Sequence, residues 1–434
     1  MILTLLAGLV STSQLQATDV FITGSTAFRA NAWAACQKMF SGGSPSITQV
    51  ADTAGVAGGT TDSYASGKNY VWTMSGAPAS ALTNISDTLT IHANFTGSVQ
   101  GIKSVEQAQK LLFLDASGVD TIAHVITNTP TIAFSDVFSA STAYPVTSGF
   151  GEDKVAIQPF VMVKSSSPTV SGITNVTWQQ AKALISLGSI PLSAWTGNVL
   201  DTNLVYMINR TRDSGTRRAM LGELDYKYAQ SFPVNVYNTT THSFTSYIST
   251  LSGNSGNVVG PAGNGNANYA WGPGYVGGGD LRSELAVADT QNAAIGYLSF
   301  ADAKSLNANW RNNIAFNGAW PTTDGPNIPG ATTNNFAPII NGQYSYWAEE
   351  VVVYPTGSMP ADQQVTLGQL GTGTSPGSFL GVLDYQSHGT NGWVVGSLEN
   401  EIQNNSGVLP TAIPLWQMKV NHNGIGGVIA SGHY

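Results

Sequence analysis

Residues 208–220 read INRTRDSGTRRAM, and charge is concentrated there in a chain that otherwise uses it sparingly. Of 17 Lys and Arg in 434 residues, Arg210, Arg212, Arg217 and Arg218 all fall in this stretch. The apolar run NLVYMI precedes it and reads as a strand, while RRAMLGELDYKYAQSF follows with helical periodicity. The stretch is therefore a strand, a Ser-Gly-Thr turn and a helix, with an arginine four residues ahead of the turn. The first N–H groups of a helix have no partner inside it, and the positive end of its dipole lies there. Small hydroxyl residues let an oxyanion approach those groups, and the Arg210 fork can grip two oxygens at once. Arg217 and Arg218 read as solvated helix charges, and Arg212 reads either way.

Two further turns share this design. DVFIT (19–23) is strand-like and leads through Thr23-Gly24-Ser25-Thr26 into Phe28, Ala32, Trp33, Cys36, Met39 and Phe40 at helical spacing. IHANF (91–95) leads through Thr96-Gly97-Ser98 into Ile102, Val105, Ala108, Leu111 and Leu112, read as one helix face. TIAF (131–134) ends on Ser135-Asp136. For any single turn, ordinary N-capping by Ser or Thr is explanation enough. Three such turns together with an arginine favour an oxyanion site.

Strands alternating with helices give an α/β protein. VAIQPFVMV (155–163) and WAEEVVVY (347–354) are long apolar strands far apart in sequence, suited to crossing between two lobes. Residues 235–279, rich in Gly, Asn, Ser and Thr, read as loops with at most one short helix. No repeat period is present.

Composition narrows the function. A chain of 434 residues is too long for one ordinary core. Only 10% of residues are charged, which suits an exported protein. The net charge of −8 and the lack of a long basic run argue against nucleic-acid or anionic-membrane partners. The single cysteine, Cys36, allows no intrachain disulfide and reads as a small buried hydrophobe. MILTLLAGLVSTSQLQA (1–17) has the apolar core and small-residue end of an export signal, which places the mature chain in the periplasm or outside the cell.

The six histidines show no metal spacing, and no cofactor, GxSxG elbow or P-loop is indicated. GTGTSPG (371–377) lacks a preceding strand and reads as a loop. The aromatic set Trp271, Tyr275, Trp310, Trp320, Tyr344, Tyr346 and Trp347 reads as loop packing rather than a sugar platform. An enzyme using Ser98 or Ser214 would need a base that the sequence does not show.

INRTRDSGT resembles the anion motif in the second domain of the phosphate-binding proteins that serve phosphate ABC transporters. ITGSTAF is similar to that family's first anion turn, TGSVQGIK to its glycine-rich helix start, and AFSD to the Ser-Asp that follows. NAAIGYLSFADA and INGQYSYWAEEVVVY resemble its later segments, in the family's order. The resemblance implies a two-lobed type II periplasmic binding protein fold, two α/β domains joined by crossover strands with a ligand cleft between them. Lobe one would be 18–160 plus 346–434, and lobe two 161–345.

It also implies a monomeric binder of inorganic phosphate, not an enzyme, with a transporter membrane component as a further partner. Contacts would fall on Thr26, Ala27, Ser98, Asp136, Arg210, Ser214, Gly215 and Thr216. A buried Asp136 can only accept hydrogen bonds, so it would favour a protonated phosphate over sulfate. The chain departs from the family at Val99-Gln100, where the family has Gly-Gly, and in a first turn one residue shorter. It is also longer between Lys103 and Ser135, which implies an added helix and strand. A surface or matrix protein that kept the fold and lost the ligand is the alternative function, and a phosphatase is the next.

Overall fold

The two large apolar cores form because two sets of strands, whose central members are buried throughout, are fed by different parts of the chain. The computed structural model describes residues 18–50, 70–83, 85–117, 124–226, 232–249, 274–275, 277–306, 312–323, 335–356, 411–422 and 429–431. The export signal, the 371–377 loop, Trp271 and Trp310 lie outside the described residues.

The first lobe contains β1 (Thr18–Gly24), β2 (Ser46–Val50), β3 (Val71–Gly76), β4 (Leu89–Asn94), the hairpin β5 (Leu111–Leu114) and β6 (Val125–Asn128), and β7 (Ile132–Ser135). Helices α1 (Arg29–Lys38) and α2 (Ser98–Glu106) follow β1 and β4. β1 lies parallel between β4 and β7, and every residue of β4 is buried, as expected of a central parallel strand. β8 (Phe150–Lys164) then leaves this lobe for the next.

The second lobe holds β9 (Asn175–Val176), β10 (Ser189–Pro191), β11 (Leu204–Met207), β12 (Phe232–Asn238), β13 (Ser243–Ser249), β14 (Ala294–Ser299) and β15 (Asn313–Phe316). Its helices are α3 (Trp178–Leu187), α4 (Ser193–Thr196), α5 (Gly215–Glu223), α6 (Gly278–Leu285), α7 (Phe300–Leu306) and α8 (Ala337–Ile340). β16 (Trp347–Pro355) returns to the first lobe.

The lobes share one mixed sheet in the order β10-β11-β14-β8-β16-β7-β1-β4-β3-β2. Its middle is the antiparallel β8–β16 pair, in which Trp347 through Pro355 all face residues of β8. The register shifts between Glu350 and Val351, which face Ala156 and Lys154, so Val155 is the extra residue of a bulge. The division between cores falls at the same place: Val155, Ala156 and Val352 pack in the first, Ile157, Trp347 and Ala348 in the second.

Several sequence expectations change here. The helix read through Leu112 stops at Glu106, because Ala108 turns left-handed (φ 49°) and Leu111–Leu112 start a strand. The insertion before Ser135 is the β5–β6 hairpin, with no added helix among the described residues. Part of the 235–279 loop region is also regular: β12 and β13 pair over seven positions, and Tyr237 and Phe244 meet at 5.0 Å. Alternating Val, Tyr, Phe and Ile carry that hairpin, a pattern hidden by its polar neighbours.

The C-terminal segment departs from the expected lobe division. Ala412 joins the first core, but Ile413, Leu415 and Met418 pack in the second. Ile413 exchanges two backbone hydrogen bonds with Ile157 on β8 (2.8 and 2.9 Å). β17 (Val420–His422) pairs with β18 (Ile429–Ser431) and brings the His422 ring onto Trp347, with centroids 3.7 Å apart.

Burial lowers the His422 pKa to about 4. A depressed histidine contributes stability that is present above its ordinary value near 6.5 and is lost as pH falls toward 4. Melting temperature should therefore drop more steeply between those pH values in the native protein than in His422→Phe. Parallel curves would remove His422 as the cause.

Candidate functional site

The three Ser/Thr-Gly turns and the end of β7 meet at the boundary between the two cores. Thr26, Ala27, Ser98, Asp136, Arg210, Ser214 and Thr216 are each no more than 3% exposed, and Gly215 is buried with them. Each is delivered by the element expected from the sequence. Thr26 and Ala27 lie in the turn after β1, and Ser98 is the first residue of α2. Asp136 follows β7, Arg210 follows β11, and Ser214-Gly215-Thr216 opens α5.

Among the links that cross between the lobes, two join side chains of this group. The Arg210 Nη2 donates to Thr26 Oγ1 (2.7 Å), while its Nε is held by the Tyr275 carbonyl (3.1 Å). Asp136 accepts from Ser98 Oγ of its own lobe and from Thr216 Oγ1 of the other (3.3 Å). The starts of α2 and α5 thus converge on one carboxylate. Gly215 permits that closeness, since a Cβ there would sit 1.3 Å from Asp136 Oδ1.

Gly97, at φ 102°, is close-packed in the same way: a Cβ would sit 2.8 Å from the Asp213 carbonyl, which accepts from the Val99 amide (3.1 Å). The departure at Val99-Gln100 therefore leaves the helix start able to meet the second lobe. Ser214 Oγ caps α5 by accepting from the Arg217 amide (3.3 Å), which leaves its own proton to donate. Ala27 packs in the second core.

Burial raises the Asp136 carboxyl above its usual range, opposed by the Ser98 and Thr216 hydroxyls and the Arg210 charge.

Arg217 is not the solvated charge expected from the sequence. It is 4% exposed, and its Nη1 donates to the Arg210 carbonyl (3.3 Å), tying α5 to the arginine segment. Arg218 is half-buried against the Ser141 carbonyl (3.0 Å), and Arg212 pairs with Asp213 at 3.5 Å.

Beside the site lies a second charged group that the sequence reading did not single out. Arg29, in the first turn of α1, pairs with Asp302 of α7 (2.7 Å), each with a side chain no more than 3% exposed. The guanidinium also lies 4.4 Å from the Tyr70 ring centroid. Burial alone would raise the Asp302 pKa, but the Arg29 charge and hydrogen bond hold it below the ordinary value. The glycine-rich start of α6 closes over this pair. The Gly279 amide donates to Tyr70 Oη (2.9 Å), and a Cβ on Gly278 would stand 2.0 Å from Asp302 Oδ2 and 3.5 Å from Arg210 Nη1.

One local signal pointed to this group. A cation in the first turn of a helix is opposed by the dipole, so Arg29 needed an anionic partner.

Among the described residues no group of His, Cys, Asp and Glu could hold a metal ion, and no helix is long and apolar enough to cross a membrane.

No family model matches the chain, and no curated protein matches it. Several solved structures are similar in fold. One is described as a phosphate ABC transporter substrate-binding protein with bound phosphate from Clostridium perfringens (15% identity, 79% of this chain and 89% of that one, TM-score 0.40). Another is an ABC-type phosphate transport receptor from Vibrio cholerae (14%, 78% and 88%, TM-score 0.38). A third is the high-affinity periplasmic phosphate-binding protein PfluDING, bound with phosphate (12%, 91% and 91%, TM-score 0.39).

Proposed function

We propose that the chain is an exported solute-binding protein that captures inorganic phosphate between its lobes and delivers it to a membrane transporter. The observation that supports this reading is that Arg210 bonds Thr26 while Ser98 and Thr216 bond Asp136, on which the Arg210 charge also acts, so four separate segments from both lobes lie close together and buried. Arg210 and the hydroxyls of Thr26, Ser98, Ser214 and Thr216 are donors, and so are the backbone amides of Ala27, Gly215 and Thr216. Asp136 is the acceptor. A dehydrated phosphate needs nearly every water hydrogen bond replaced by a fixed donor, and its remaining proton needs an acceptor.

On this reading the phosphate takes over the hydroxyl hydrogen bonds that Ser98 and Thr216 give to Asp136 and returns its own proton to that carboxylate. A ligand bonded to both lobes binds the closed arrangement better, which favours closure. Ser98 bonds a carboxylate and Ser214 caps its helix, with no histidine base on either, so binding without chemistry is the simpler use of the site.

Calorimetry on the mature protein tests this. Phosphate should bind, sulfate should bind far more weakly, and Asp136→Asn should narrow that difference by admitting sulfate. Absence of phosphate binding at micromolar protein would favour the alternative, a protein that kept the fold and lost the ligand. A mutant that still rejects sulfate as strongly as the native protein would show that Asp136 does not select.

A further inference from the structure

A second carboxyl group is buried beside the site. Glu350 lies on β16 at the bulge, next to Val351, which pairs with Ser135, the residue before Asp136. Its side chain has no exposure, and neither oxygen makes a hydrogen bond of ordinary geometry among the described residues. The groups that act on it are the Asp136 carboxylate and, loosely, the Ser25 hydroxyl.

The other charged groups nearby serve different partners. Side chains alternate along a strand, and Glu349 faces the opposite way to meet Lys154 Nζ of β8 at 3.5 Å. Arg210, from the second lobe, acts on Asp136. Tyr346, on the approach to β16, gives its hydroxyl to the Thr216 carbonyl (3.2 Å), and burial keeps it a neutral phenol.

Two carboxylates in a dry site resist being charged together. Asp136 has two hydroxyl donors and an arginine to support its charge. Glu350 has neither a cation nor a full hydrogen bond, so the proton of the pair belongs on Glu350.

We infer that Glu350 is a further binding residue of the site: as a neutral acid it offers an O–H donor beside Asp136 and lets a doubly charged oxyanion lie next to that carboxylate. The inference rests on the phosphate reading. Its sign follows from charge: burial, then Asp136, push this carboxyl well above the ordinary range, and an anion nearby favours the protonated form further. Affinity is therefore present while Glu350 keeps its proton and is lost as rising pH removes it, by about tenfold per pH unit beyond that point.

The test has two readouts. Phosphate titrations by calorimetry from neutral to alkaline pH should show affinity falling more steeply in the native protein than in Glu350→Gln. The ligand's own ionisation is common to both proteins. The infrared carbonyl band of a protonated carboxyl, shifted in deuterated water, should be present in the native protein at neutral pH and lost in the variant. Equal slopes with binding intact, or no such band in the native protein, would overturn the role of Glu350 alone. The absence of any such band from the native protein needs no variant, so that outcome decides against Glu350 even if Glu350→Gln misfolds. No binding at any pH would instead overturn the phosphate reading and the ligand role with it.

Discussion

Replacing Asp302 by alanine should cost about 3–5 kcal/mol of folding stability, the usual penalty for leaving one member of a buried ion pair without the other. Arg29 and Asp302 are both nearly without solvent exposure and stand 2.7 Å apart across the lobe boundary. Without the carboxylate, the Arg29 guanidinium would keep the Thr26 carbonyl and the Tyr70 ring but lose its counter-charge. Asp302 also accepts from Ser299 Oγ (3.0 Å), so Asp302→Asn should retain part of the local geometry and cost less. The double variant Arg29→Met/Asp302→Leu should recover much of the loss, because removing both charges removes the desolvation problem. Denaturant unfolding measures all four proteins. A single-variant cost below about 1 kcal/mol, typical of an exposed pair, would mean that water reaches this group.

Arg210→Ala should weaken phosphate binding by about 2–4 kcal/mol, or roughly 30- to 700-fold. The guanidinium spans two fixed points, Thr26 Oγ1 on one lobe and the Tyr275 carbonyl on the other, so its loss removes a donor and a positioning bridge together. Arg210→Lys should rescue little, because a single ammonium cannot reproduce both ends of the planar fork. Circular dichroism would first confirm that each variant is folded. Affinity within twofold of the native value would remove Arg210 from the site and end the phosphate reading in its present form.

Much of the site was legible because its signals are local. A strand, a small-residue turn and a helix face occupy about twenty residues each, and Arg210 precedes its turn by four positions. The spatial meeting of those turns was implied only by a resemblance. Hydrogen bonds between Thr26 and Arg210, 184 positions apart, follow from tertiary structure that no window contains.

Arg217 shows a signal that was present and not used. Arg217, Met220, Leu221 and Leu224 recur at helical spacing, so the arginine lay on the face that the apolar residues bury. Asp302 was less accessible, since an aspartate near a helix start is ordinary and its partner lies 273 positions away. Glu350 was hidden inside a strand read only for its apolar run, since nothing local tells which of two adjacent glutamates faces the interior. For residues 413–418, a short apolar run says that they pack, but not against which core.

The one-residue excess at Val155 puts a bend in the ribbon that joins the halves of the molecule. Where a strand carries an extra residue, the ribbon coils more sharply, and here that happens where one core gives way to the other. Removing that single extra residue is expected to straighten the ribbon between the cores while each Ser/Thr-Gly turn keeps its own local seat.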